Sequence, residues 1–90
     1  MVYVFVGAGA SPEAARLGIT VPRKVGGAVV RNRLKRQLRE AMAALGADVA
    51  RGSDVVVVAR SGLDDAVETH GFPWLVGELR GLIEARSDET

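Results

Sequence analysis

The chain contains no cysteine, a single histidine and only four aromatic residues, Tyr3, Phe5, Phe72 and Trp74. Without cysteine there is neither a disulfide framework nor a thiolate-ligated zinc, a pattern that fits a reducing cytoplasm. The lone imidazole, His70, falls in what reads as a loop ahead of the last helix. It cannot assemble a Ser-His-Asp triad or a histidine metal site, and reads as a surface or capping residue. No apolar run approaches the roughly 20 residues that span a bilayer, and no basic start leads into a signal-peptide core. The expectation is a soluble cytoplasmic protein with no membrane partner. Ninety residues make one domain, residues 1–90, burying about 60–65% of the unfolded chain's surface.

The most informative absence is that of carboxylates from residues 16–39. That stretch holds eight of the twelve basic residues, Arg16, Arg23, Lys24, Arg31, Arg33, Lys35, Arg36 and Arg39. The rest of the chain sets four arginines against eleven carboxylates, so a formal net charge of +1 conceals a strong dipole. Phosphate contact and counterion release need clustered cations rather than an average excess, so the stretch reads as a surface for a polyanion, with nucleic acid the leading candidate.

Residues 2–6 are β-branched and aromatic, and the turn composition of Gly7-Ala8-Gly9-Ala10-Ser11-Pro12 predicts that the strand stops there. Residues 17–21 alternate apolar with small or polar side chains until Pro22 halts pairing. Residues 54–60 form a continuous β-branched run, the pattern of a strand buried on both faces or at a sheet centre. Between the second and third strands, residues 27–45 carry Val30, Leu34, Leu38, Ala41 and Leu45 within about 80° of arc, a core stripe, and Gly46 reads as a left-handed cap. A last helix is predicted over residues 71–86, with Pro73 in its first turn and Phe72, Leu75, Val76, Leu79, Leu82 and Ile83 on its apolar face. Trp74 falls off that stripe and is expected to pack under a loop. Asp64, Asp65 and Glu68 read as an acidic loop, a solvated turn rather than a Mg2+ site. The sum is an α+β fold, a two-layer α/β sandwich whose small sheet carries a basic helix in a βαβ crossover and a C-terminal helix.

On the basic helix, Arg31 with Lys35 and Lys35 with Arg39 repel at i,i+4, and only Arg36 with Glu40 offers relief. An ordinary solvated helix intersperses both signs, so this one tolerates a penalty that an external anion reverses. Tyr3 and Phe5 share one sheet face. That face either meets the core or, if open, stacks unpaired bases at roughly 1–3 kcal/mol each. Gly7-Ala8-Gly9 invites a dinucleotide reading, but the third glycine position is Pro12 and no helix starts there.

The run Arg16-Leu17-Gly18-Ile19-Thr20-Val21, then Lys24-Val25-Gly26, then Ala28-Val29-Val30-Arg31-Asn32-Arg33-Leu34-Lys35-Arg36 with Leu38-Arg39-Glu40-Ala41, resembles the signature of the bacterial ribonuclease P protein subunit. Arg31-Asn32-Arg33 stands at its core, and the third strand and terminal helix sit where that family has them. The resemblance implies a protein with no catalytic residue of its own. Such a protein binds a large catalytic RNA, one to one and otherwise as a monomer, and assists removal of the 5′ leader from precursor tRNA. The RNA performs the hydrolysis and requires Mg2+; the protein holds no firmly bound cofactor or metal.

The resemblance implies RNA contacts from Arg31, Asn32, Arg33, Lys35, Arg36 and Arg39, extended by Arg23 and Lys24. The residue types agree, since Arg forks phosphates and stacks on bases while Asn bonds a ribose or base edge. It also implies a left-handed crossover around the basic helix, against the usual right-handed rule. Three departures stand out. The family has an N-terminal helical segment with paired aromatics that helps wall the leader cleft; this chain starts directly in a strand, so a truncated N-terminus is expected, with Tyr3 and Phe5 as possible leader contacts. Pro22 replaces a common Ser before two Lys, and Gly27 replaces a polar residue. Two other function classes remain: a generic RNA- or DNA-binding module on this scaffold, and a nucleotide-dependent enzyme using the glycine loop.

Overall fold

The computed structural model describes residues 2–8, 16–45 and 53–88. Its elements run β1 (Val2–Ala8), β2 (Arg16–Thr20), a 3-10 turn (Arg23–Val25), α1 (Ala28–Leu45), β3 (Ser53–Ala59), α2 (Leu63–His70) and α3 (Phe72–Asp88). The three strands form one mixed sheet in the order β1-β3-β2, with β3 antiparallel to β1 and parallel to β2. The fold is α+β, with β2, α1 and β3 forming the expected βαβ unit.

The valine run is the sheet centre, as its pattern implies, but it is buried on one face only. Val55, Val57 and Ala59 are almost fully buried beneath the helices, whereas Val56 is exposed on the other side. The same alternation settles β1. Val4 pairs with Val57 and enters the core, while Tyr3 and Phe5, opposite Val58 and Val56, point outward. β1 also outlasts its expected end, because Gly7 and Ala8 pair with Asp54 and Ser53. Ladder pairing overrides their turn propensity and removes them from any phosphate loop. Gly9, Ser11, Pro12 and the cap expected at Gly46 lie outside the described residues.

Helix α1 buries the expected stripe: Leu34, Leu38, Ala41 and Leu45 reach the core, and Val30 is half-buried against it. Leu75, Leu79 and Ile83 do the same from α3, which packs on both α1 and β1.

The acidic loop is a helix. Leu63, Ala66 and Val67 recur at i, i+3, i+4 and are buried, and Asp64 and Asp65 occupy the first turn, where the helix dipole favours carboxylates. Gly62 and Gly71, both at positive φ, bracket it, and the Gly71 N–H donates to the Val67 carbonyl at 2.8 Å. His70 is therefore the last residue of α2. Trp74 is half-buried against the core with its ring 5.0 Å from that of His70, so it packs beside a helix end rather than under a loop. Phe72, assigned to the apolar face, is 38% exposed instead.

Candidate nucleic-acid interface

Pro22 leads into the 3-10 turn, where the Val25 N–H donates to the Pro22 carbonyl and the Gly26 N–H to that of Arg23. Val25 is buried and anchors the turn, leaving Arg23 and Lys24 exposed. Ser61 Oγ donates to the Lys24 carbonyl at 3.3 Å, tying the turn to the segment that leaves β3. A Cβ at Gly26 would stand 2.9 Å from Val30 Cγ1, so this close approach of the turn to α1 requires glycine. The Arg31 N–H then donates to the Gly27 carbonyl at 2.9 Å, closing the first turn of α1.

At about 100° per residue the basic exterior of α1 divides into strips. Arg31, Lys35 and Arg39 climb one flank, Asn32 and Arg36 form the back, and Arg33 with Gln37 occupies the other flank. Arg31 and Lys35 are half-buried, whereas Asn32, Arg33, Arg36 and Arg39 are exposed. Arg31 Nε is buried with no hydrogen-bond partner. Arg36 Nε lies 4.0 Å from Glu40 Oε1, with both side chains well exposed, so the pair is screened and weak. Val29, 80% exposed, forms an apolar patch beside Asn32, Arg33 and Arg36 in a shallow groove of about 390 Å3.

The opposite flank faces α2. Arg33 and Gln37 share a second cleft, of about 220 Å3, with Asp64, Val67, Glu68 and Phe72. An acidic loop at Asp64, Asp65 and Glu68, as the sequence alone suggests, gives no hint of this juxtaposition, which needs α2.

On the open sheet face the Tyr3 and Phe5 rings lie 6.4 Å apart. Arg60 was not among the expected site residues. Its guanidinium covers the Tyr3 ring, and its neighbour Ser61 holds the Lys24 backbone, so the aromatic face runs on to the basic turn. The sequence signal for Arg60 was slight, a single cation after a strand. Among the described residues no group of three or more His, Cys, Asp or Glu is placed to hold a metal, and no helix is long and apolar enough to cross a membrane.

A cation-lined helix joined to a sheet face with exposed aromatic rings gives an α+β domain that carries the residue types of a polyanion-binding surface. The family model for ribonuclease P matches residues 1–85, and the chain belongs to the ribonuclease P protein family. The ribonuclease P protein component of Bartonella quintana is 46% identical over 78 residues, covering 86% of this chain and 56% of that protein. That of Brevibacillus brevis is 51% identical over 51 residues, covering 57% of this chain and 40% of the relative. The chain thus spans about half the length of the curated relatives it matches. The RNase P protein of Thermotoga maritima superposes with a TM-score of 0.81 at 33% identity, over 93% of this chain and 76% of that one. The Staphylococcus aureus protein gives 0.74 at 26% identity, over 93% and 72%.

Proposed function

We propose that the chain acts as the protein subunit of ribonuclease P, binding the catalytic RNA and assisting removal of the 5′ leader from precursor tRNA in the cytoplasm. The observation that carries this reading is the cationic exterior of α1, where Arg31, Lys35, Arg39, Asn32 and Arg36 present donors relieved by a single exposed carboxylate, Glu40. Arg23 and Lys24 extend the surface through the 3-10 turn, and Arg33 closes it on the far flank. These residues neutralise phosphates and bond ribose and base edges of one RNA molecule bound by one protein. Tyr3 and Phe5, exposed on the open sheet face, stack unpaired leader bases. Hydrolysis belongs to the RNA and to the Mg2+ it requires; the protein contributes binding and positioning, with no catalytic residue of its own.

The test is cleavage of precursor tRNA by a bacterial ribonuclease P RNA at low Mg2+, with and without the chain. Stimulation is expected. Salt-sensitive RNA binding without stimulation would reduce the chain to a general RNA-binding module.

A further inference from the structure

The cleft lined by Arg33, Gln37, Asp64, Val67, Glu68 and Phe72 differs in chemistry from the rest of the basic surface. Asp64 and Glu68 repel a phosphate, and Arg33 repels a bare cation. What the lining accepts is a neutral, flat group with donors on one edge and acceptors on another. At about 220 Å3 the cleft is smaller than the roughly 300–1,000 Å3 that takes drug-sized molecules. One ring system fits that description better than a whole nucleotide. Phe72, held 38% exposed instead of joining the core stripe of α3, supplies an aromatic surface at its rim.

We infer that this cleft takes a single unpaired guanine of an RNA strand held along α1; the inference rests on the RNA-binding function proposed above. Guanine alone among the four bases combines two adjacent donors, N1–H and the N2 amine, with two adjacent acceptors, O6 and N7. The carboxylates of Asp64 and Glu68 accept from the first edge, and the Arg33 fork donates to the second. Adenine and cytosine turn a ring-nitrogen acceptor toward the carboxylates, and uracil offers them a single donor, N3–H, flanked by two carbonyls. Gln37 both donates and accepts, so it completes either edge. Phe72 stacks on the ring. Arg33 lines this cleft and also the groove of Val29, Asn32 and Arg36, so a backbone seated in that groove delivers its next base over Arg33.

The experiment measures binding of the chain to single-stranded oligouridylates carrying one central guanosine, inosine, adenosine or uridine. Inosine lacks only the N2 amine, and losing its bond to a carboxylate is expected to weaken binding about tenfold. Asp64→Ala with Glu68→Ala, which leaves no side-chain oxygen at either position to accept from the N2 amine, is expected to erase the guanosine–inosine difference while leaving the uridine oligomer bound at least as tightly, since negative charge is removed. Phe72→Ala is expected to weaken the guanosine and inosine forms together, by about tenfold. Equal affinity of the unmodified protein for guanosine and inosine oligomers overturns the inference without recourse to any variant, and so does discrimination that survives the double substitution. Salt-sensitive but base-blind binding removes the guanine site alone; binding that is absent or indifferent to salt removes the RNA-binding function with it.

Discussion

Arg60 stands with its guanidinium 4.6 Å from the centroid of the Tyr3 ring and donates from Nη1 to the hydroxyl of the same residue. Two contacts to one side chain, across 57 positions of sequence, fasten β1 to the chain leaving β3. Both groups are exposed, so each contact is a modest one. Tyr3→Phe removes the acceptor and keeps the ring, and is expected to cost about 0.5 kcal/mol. Tyr3→Ala also removes the cation–π contact and is expected to cost about 1–1.5 kcal/mol in all. Urea unfolding of the two variants checks the order, and stability unchanged in Tyr3→Ala would show the clasp to be idle.

Glycines in this chain separate into those a side chain cannot replace and those it can. Gly26→Ala drives a Cβ to 2.9 Å from Val30 Cγ1 and 3.0 Å from Val30 Cβ; a β-branched neighbour on a helix strongly prefers one rotamer, and no rotamer moves its Cβ. The expected cost is about 1–3 kcal/mol. Gly77 and Gly81 on α3 are exposed, with nothing within 4 Å of an added Cβ. Alanine at either is expected to stabilise by about 0.5–1 kcal/mol through helix propensity. Thermal unfolding distinguishes the signs.

Arg31→Ala combined with Arg33→Ala tests whether the basic exterior serves binding or folding. Arg31 Nε is a buried donor without a partner, and Arg31 faces Lys35 at i,i+4, so neither side of this arrangement stabilises the free protein. RNA affinity is expected to fall at least about tenfold, with the melting temperature level or slightly raised. Failure to fold would assign these arginines to the structure instead.

Charge was legible from composition alone because carboxylates are missing from one continuous stretch, and the stripe of Leu34, Leu38 and Ala41 orients that charge outward by periodicity. Helix α2 escaped because eight residues with only Leu63, Ala66 and Val67 apolar give a short signal, although the acids in its first turn and the glycine at each end were there to be read. Once α2 is missed, Arg33 has no neighbour, and the second cleft cannot be inferred. The side chosen by Tyr3 and Phe5 was undecidable locally, since β1 alternates apolar residues on both faces. Pairing with β3 decides it by placing Val4 against Val57.

Glu40 is the one carboxylate on the exterior of α1, and it lies 4.0 Å from Arg36. An exposed i,i+4 pair of this kind contributes about 0.3–0.5 kcal/mol, so Glu40→Gln is expected to cost the free protein no more than that. For an approaching RNA the balance is opposite. Glutamine frees Arg36 to meet a phosphate and removes a like-charge repulsion, so affinity for structured RNA is expected to rise several-fold. The salt dependence separates this from a nonspecific effect. If the chain neutralises roughly 4–6 phosphates, log K against log[salt] falls with a slope of about −3 to −5, and releasing Arg36 steepens it by up to about one. A tighter complex with an unchanged slope would place Glu40 outside the contact surface; a flat response in the unmodified chain would remove the polyanion interface altogether.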